Sequence, residues 1–565
     1  MQYQKIIKSA IKQALAELEI KPPKEIHLET PTLSDHGDFA SNIAMQIADG
    51  NPRDLAETIK EKLSNYEEVQ KTISKIEIAG PGFLNFWASQ EVLLQNLENI
   101  LNKNILNKNI GKNKKVVIDY SAPNIAKRFS VGHLRSTVIG QAIYNLYTSL
   151  GFDTVGDNHL GDWGTQFGMI LAGLEKYELD INKLSVEDLE NLYVKYSSEA
   201  KENPDLREKA KTWFKKLEES DPEATDLWQK AVDVSISEFD KIYQKLGVKL
   251  DHAYGESYYQ DKMSLVIDEA KSKNLAHESE GALIFKFEAI PPAMLLKSDG
   301  TTTYFTRDLA AIYFRMQTWN PNIIIYEVGA EQTLHFRQVF AAAKALGWVE
   351  GVELKHVAHG LFLLNGKKMS TRKGTNIKLS ELLDKAVEKA SEAIDAAQVA
   401  KDLDDTEKRE ISQQVGIGAI KYFDLKHAPN SNIDFNWEDA LSMQGNSGPY
   451  LQYTNARINS ILQRGEFTIS NFQFTNNLNI NAEEKILLRF FSQYEGIIID
   501  AAKNYSPNTL ANYLYDLAQK FNTFYNAHKI IDSENQEFRI ALTAATGILL
   551  KQGLEILGIE TPEKM

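Results

Sequence analysis

The chain has 565 residues, 43% apolar and 25% charged, an ordinary globular composition, and at about 150 residues per domain it has room for about four domains. It contains no cysteine, which excludes disulfides, thiolate metal sites, iron–sulfur clusters and thiolate nucleophiles. Its 63 Lys plus Arg against 77 Asp plus Glu give a formal charge of −14, which argues against a generic DNA-coating protein but leaves room for a local basic groove.

Ile7, Ile11, Leu15 and Leu18 recur at helical spacing and predict an amphipathic helix docked on its own domain. Ile76-Glu77-Ile78 reads as a strand, followed by the turn-rich Gly80-Pro81-Gly82. The tandem ILNKNILNKNI, in a low-complexity stretch near 97–115, marks the end of an N-terminal α+β domain, placed at 1–110. Val116-Val117-Ile118 is a strand that enters a loop. A helix follows from about Gly132, with Leu134, Val138, Ala142 and Leu146 on one stripe and Gly151 as its stop. Such a strand–loop–helix unit opens a Rossmann-like α/β domain with a parallel sheet, here assigned to 111–385. A Lys/Glu-rich helical insertion is expected at about 183–280. Strand-like runs at Ala282–Phe287, Thr302–Thr306, Asn322–Val328 and Leu354–His359 predict that the sheet resumes after it. From about 380 onward the pattern is helical, giving a connection over 386–440 and an all-α helical bundle over 441–565. No apolar run approaches the roughly 18 residues of a spanning helix; a cytoplasmic protein without membrane partner is expected.

Two stretches carry chemistry. In the first, Asp119 to His133, Gly132 lets a ligand approach the backbone, the following helix offers free N–H groups to a phosphate, and His133 can donate to a phosphate oxygen. A Gly-His pair before a helix is, by itself, an ordinary turn. In the second, Lys367-Lys368-Met369-Ser370-Thr371-Arg372-Lys373 packs four cations into seven residues between Gly366 and Gly374. A solvated basic loop is the plain alternative, but paired with the first stretch it reads as a phosphate-reaching loop. Asn158-His159-Leu160-Gly161-Asp162-Trp163-Gly164 is a third dense stretch, read either as a structural turn or as a lining for ribose or an acceptor end. His356 and His359, three apart on a strand, fall on opposite faces, which argues against a shared zinc.

Ser130-Val131-Gly132-His133 resembles the HIGH signature of class I aminoacyl-tRNA synthetases, and Lys368-Met369-Ser370-Thr371-Arg372 their KMSKS signature. SAPNIAK (121–127), GHLRSTVIG (132–140), NHLGDWGTQFG (158–168), YFTRD (304–308), GAEQTLHF (329–336), GNSGPYLQYTNARI (445–458) and the ending LKQGLEILGIETPEKM narrow the resemblance to bacterial arginyl-tRNA synthetases, over essentially the whole chain.

The resemblance implies an arginine–tRNA ligase that uses ATP, with Mg²⁺ accompanying it and no zinc, to make arginyl-adenylate and charge the tRNA for arginine. A monomer is expected. Asp308 and Asp119 are the positions for the guanidinium, whose fork of donors wants carboxylates; Tyr304 adds a ring or hydroxyl, and Asn124, Gln332 and Ser121 suit the α-amino and carboxyl ends. ATP is expected over Ser130, Gly132 and His133, with Lys368, Met369 and Ser370 at its phosphates. Ser130 replaces the first histidine of HIGH and Thr371 the second lysine of KMSKS; Lys127 is expected to supply the missing cation, with Lys373 as the alternative donor. Anticodon bases, read by stacking and edge contacts, are expected at Tyr453, Arg457, Tyr525 and Met565, and Tyr450 and Phe524 are further aromatic candidates. Asp38-Phe39-Ala40-Ser41-Asn42 resembles part of the family's domain that touches the tRNA elbow. Two other readings stand beside this one: a catalytically silent tRNA-binding protein, favoured only by Ser130 and Thr371, and another class I synthetase, disfavoured by the paired acids and YFTRD.

Overall fold

The structure, a computed structural model, describes residues 2–29, 31, 36–364, 366–368, 378–396, 403–465 and 478–565. The first helix runs Gln2–Glu17. Its buried stripe of Ile7, Ile11 and Leu15 shares a core with Phe39, Leu84 and Phe86, which belong to an antiparallel sheet ordered Phe39–Ser41, Phe83–Ala88, Ile73–Ala79. The strand expected at Ile76 is the last of these.

The central sheet has four parallel strands in the order Glu353–His359, Ile323–Gly329, Lys115–Asp119, Asp153–Asp157. Val116, Val117 and Ile118 are fully buried, as a strand covered on both faces requires. The chain winds outward in one direction from Lys115–Asp119 to Asp153–Asp157 and returns on its other side as Ile323–Gly329. That reversal leaves a crevice at the carboxyl ends of the strands, where folds of this kind bind ligands. The helix after the first strand spans Leu134–Ser149 and buries the expected stripe of Leu134, Val138, Ala142 and Leu146. Gly151 sits at φ +85°, and a Cβ there would lie 2.0 Å from the carbonyl oxygen of Lys108, so the asparagine–lysine tandem is pinned to the end of this helix.

The insertion is helical through Val186–Glu202, Pro204–Glu218 and Pro222–Leu246. Two expectations about the segments beyond it are corrected. The strand expected at Ala282–Phe287 forms as Ala282–Phe285, in a separate antiparallel sheet between Ala276–Ser279 and Ala293–Leu296; it does not rejoin the parallel sheet. Thr302–Thr306 is not a strand: a helix, Tyr304–Trp319, begins inside it. Its β-branched threonines look extended in sequence, yet the Thr303 and Thr306 hydroxyls donate to the Met294 and Leu295 carbonyls, which fastens the helix start onto the small sheet.

Among the described residues from Leu379 onward, the elements are helices apart from the short strand Ile433–Phe435, which pairs with Phe362–Leu364. The last five helices, from Gly448–Arg464 to Gln536–Ile556, bury Leu514, Phe521, Leu542 and Leu549 completely. Buried ion pairs tie the parts together: Asp38 with Arg489 at 2.6 Å, and Arg135 with Asp424 at 3.2 Å.

Candidate active site

The loop that leaves the central strand at Asp119 is strained. Ser121, Ala122 and Ala126 all adopt positive φ, at +74°, +46° and +57°, a conformation that costs non-glycine residues of order 1–3 kcal/mol each and clusters at functional sites. Tertiary bonds hold it: the Ser121 N–H donates to Ser136 Oγ at 3.0 Å, and the Ala126 N–H to Ser235 Oγ at 3.0 Å.

Beyond this loop lies a cavity of about 320 Å³ lined by Asp119, Ala122, Asn124, His159, Gly161, Glu256, Tyr304, Arg307, Asp308, Val328, Gln332, His335 and Phe336, near the lower end of the ~300–1,000 Å³ typical of ligand pockets. Asp119, Asn124, Tyr304, Asp308 and Gln332, drawn from three separate stretches, therefore meet in one place. Ser121 does not line it; its hydroxyl is spent on Thr137 Oγ1 at 2.9 Å and Tyr243 Oη at 2.8 Å behind the wall. Tyr304 and Gln332 are exposed at the rim. The Arg307 guanidinium lies 5.2 Å over the Tyr304 ring.

Each acidic group of the cavity has a partner in the protein. Asp119 Oδ2 is 2.7 Å from Arg315 Nη2, which also reaches Asp157 Oδ2 at 2.7 Å. Glu256 is 2.8 Å from Arg307 Nη1. Burial, against the pull of Arg307 and His159, lifts Glu256 to about 7. Asp308 Oδ2 is 2.5 Å from His335 Nε2, and its Oδ1 is 3.9 Å from His159 Nε2. Burial opposes its ionisation, but the His335 bond, with the charges of His335, His159 and Arg315, outweighs it and holds the carboxyl below the usual carboxylate range.

Four titratable lining residues, His159, Glu256, Arg307 and His335, were not singled out as site residues in the sequence. Arg307, His159 and His335 sit inside the YFTRD, NHLGDWG and GAEQTLHF stretches, so proximity to a motif was their only signal. Glu256 has none; it reaches the cavity because the Ser257 N–H and hydroxyl fasten its loop to Asp162, at 2.8 and 2.6 Å.

The same strained loop ends on Ser130–His133. His133 caps the Leu134–Ser149 helix start, and its Nδ1 accepts the Ser130 N–H at 3.2 Å. Burial pushes its pKa down to about 4, so near neutral pH the ring is uncharged, and with Nδ1 accepting, Nε2 carries the proton. Burial also draws the Lys127 ammonium below the usual lysine range, and Lys127 bears electrostatically on His133. The chain just after the second stretch is brought to the first by the backbone. Lys367–Lys368 pairs with Leu363–Leu364, and further along the chain Lys378 pairs with Ser130 while the Leu379 N–H donates to the Phe129 carbonyl. Met369, Ser370, Thr371, Arg372 and Lys373 lie outside the described residues, as does the side chain of Lys368. His356 donates to the Val328 carbonyl at 3.0 Å and His359 contacts Glu327 at 3.0 Å.

In the C-terminal bundle, Arg457 lies 4.8 Å over the Tyr453 ring and 5.5 Å over that of Tyr525, and donates to Tyr453 Oη and Asn522 Oδ1, each at 3.1 Å. With Met443, Gln444 and Tyr450, the Tyr453–Arg457–Asn522 face lines a cavity of about 500 Å³. Met565 sits in a different cluster, against Ala390, Ile394, Ile411 and Val415. Phe524 is fully buried core.

Three family models match the chain: the arginyl tRNA synthetase N-terminal domain over 5–88, the class I (R) tRNA synthetase catalytic domain over 96–437, and the DALR anticodon binding domain over 451–565. An arginine–tRNA ligase of Lactococcus lactis subsp. lactis is 41% identical over 554 residues, covering 95% of each chain. One of Exiguobacterium sibiricum is 39% identical over 576 residues, covering 100% of this chain and 99% of its own. Among solved structures, the arginyl-tRNA synthetase of Plasmodium falciparum superposes with a TM-score of 0.85 at 28% identity, covering 99% of both chains. That of Thermus thermophilus has a TM-score of 0.82 at 23% identity over 99% of this chain and 100% of its own, a likeness of fold.

Proposed function

This chain belongs to the class I arginyl-tRNA synthetases, and on that premise we propose how its own residues carry out the arginine–tRNA ligase reaction. A carboxylate oxygen of L-arginine bonds to the α-phosphorus of ATP as pyrophosphate leaves. A ribose hydroxyl at the 3′ end of the tRNA then attacks the arginyl carbonyl, and AMP leaves with the tRNA ester formed. No protein nucleophile is needed; positioning and charge stabilisation do the work.

The observation that carries this reading is the meeting of Asp119, Asn124, Tyr304, Asp308 and Gln332 in one cavity at the sheet's switch point. Asp308 receives the guanidinium, and Glu256, which lines the same cavity, adds a second acid to it. Asp119, already paired with Arg315, shapes the site and faces the substrate's α-amino end with Asn124; Gln332 and Tyr304 close the rim, and Ser121 holds the wall. ATP lies on Ser130, Gly132 and the Nε2–H of His133. Mg²⁺ accompanying the nucleotide would supply positive charge at its phosphates. Lys127 contributes charge beside His133, and Lys368, Met369 and Ser370 serve the phosphates. The tRNA is held at its anticodon by Tyr453, Arg457 and Tyr525, with Met565 at the chain end as a further contact, and its elbow rests on the N-terminal part. The enzyme works in the cytoplasm as a monomer. Among the described residues no helix is long and apolar enough to cross a membrane.

Arginine-dependent ATP–pyrophosphate exchange, run with and without tRNA, tests the reading. A ligase shows exchange that requires arginine; a silent tRNA-binding protein shows none, and another class I synthetase shows exchange with a different amino acid.

A further inference from the structure

The three carboxylates of the cavity are held in two chemically different ways. Asp119 and Glu256 are met by the guanidinium groups of Arg315 and Arg307, at 2.7 and 2.8 Å, and a guanidinium keeps its charge at any working pH. Asp308 is met by an imidazole. An imidazole can donate one N–H while uncharged. The Asp308 carboxyl is held ionised by its surroundings, so it can only accept, and Nε2 of His335 is the donor. Asp308 is thus the one of the three whose bonded partner is not a guanidinium, and its Oδ1 has no hydrogen-bond donor among the described residues, which leaves that oxygen for a substrate guanidinium.

His335 is built to hold that carboxylate still. It lies in the first turn of the Thr333–Ala345 helix, one turn after the rim residue Gln332. Its ring packs edge-on against Phe336 at 5.4 Å, and Phe336 is backed in turn by the His356 ring at 4.8 Å. It takes Oδ2 of Asp308, and Oδ1 is left toward His159, another lining residue, at 3.9 Å, beyond hydrogen-bond range.

We propose that His335 is a positioning residue that sets the enzyme's hold on arginine: it occupies one oxygen of Asp308 with an N–H and thereby presents the other oxygen to the substrate's guanidinium. The inference rests on the ligase reading above and adds to it a residue whose role there is orientation.

The test is arginine-dependent ATP–pyrophosphate exchange, supported by tRNA, on the wild type and on His335→Ala, His335→Leu and His335→Gln. Losing a hydrogen bond to a charged group is worth about a tenfold to hundredfold weakening of the group it orients. His335→Ala and His335→Leu are expected to raise KM for arginine by about that factor, with kcat within about threefold and KM for ATP unchanged; the unchanged ATP value also shows that the variants are folded. His335→Gln, whose amide N–H can replace the ring donor, is expected to recover most of the loss. Agmatine, which keeps the guanidinium and lacks the carboxylate, is expected to lose inhibitory affinity by the same factor as arginine. The inference is overturned if KM for arginine stays within twofold in both Ala and Leu variants, if agmatine binding does not move with it, if Gln is as impaired as Ala, or if kcat falls while KM holds. A wild type without arginine-dependent exchange overturns the ligase reading itself, and this inference with it.

Discussion

Arg315→Met removes the only cation that the described residues place on the Asp119–Asp157 pair. In the native protein Nη2 lies 2.7 Å from Oδ2 of both carboxylates, and Nε donates to Asp157 at 2.9 Å. Arg315 and Asp157 are fully buried and Asp119 nearly so. Replacing the guanidinium by a thioether keeps much of the volume but strands two like charges in a space closed to water. Breaking one buried pair in this way costs about 3–5 kcal/mol. Arg315 Nη1 and Asp157 Oδ1 have no partner among the described residues, so the native arrangement is not fully satisfied and the lower end of that range is expected. The two aspartates end neighbouring strands, Lys115–Asp119 and Asp153–Asp157, so the damage should be local to the sheet's carboxyl edge. Native-state amide exchange resolves such local openings without assuming that a multidomain chain unfolds in one step. At 1.4 kcal/mol per decade, amides in these two strands should exchange about a hundredfold faster or more in Arg315→Met. Arg315→Lys, whose single ammonium cannot span both carboxylates as the fork does, should fall between. Exchange in both strands within a factor of three of the wild type would show that the knot contributes little and that Asp119 is held by something else.

Asp308→Asn keeps the shape and removes the charge. It should raise KM for arginine about a hundredfold in the exchange assay with little change in KM for ATP, and an unchanged arginine KM would refute its assignment. Lys127→Ala should lower kcat for aminoacylation at least about tenfold, as expected for a lost charge at a developing phosphate charge; a near-wild-type kcat would assign the missing cation to Lys373 or another group. Glu256 is lifted from the ordinary glutamate value to about 7, so the folded state holds its proton longer than the unfolded chain does. That contribution to stability is present below the ordinary carboxylate range and lost as pH rises through about 7; between pH 5 and 8 the wild type should lose up to about 3 kcal/mol relative to Glu256→Gln in exchange-derived stability, and parallel pH profiles would refute it. Arg457→Ala should raise KM for tRNA about tenfold in aminoacylation while leaving KM for arginine alone; equal changes in both would point to a structural role instead.

Much of the site was legible because its residues ride on local features. Asp119 ends a buried strand that reads as an apolar run, Gly132-His133 precedes a helix whose stripe is plain in the sequence, and Asp308 lies in a motif. Periodicity and turn chemistry are properties of neighbours in the chain, so the Leu134–Ser149 helix, the glycine at 151 and the helical C-terminal third follow from them without any tertiary contact. What the sequence could not decide is which distant groups share a desolvated space. Asp119 looked like a free acceptor for substrate and proved to be claimed by Arg315. Glu256 carried no local mark, yet it lines the same cavity as Asp308. Thr302–Thr306 looked extended, and only the carbonyls of a neighbouring hairpin, capturing two hydroxyls, turned it into a helix start. A charge buried away from water must find its partner wherever the fold places one, and sequence separation has no bearing on that search. Fold class and motif chemistry thus came from the order of residues along the chain, whereas the pairing of charges inside the pocket came from packing alone.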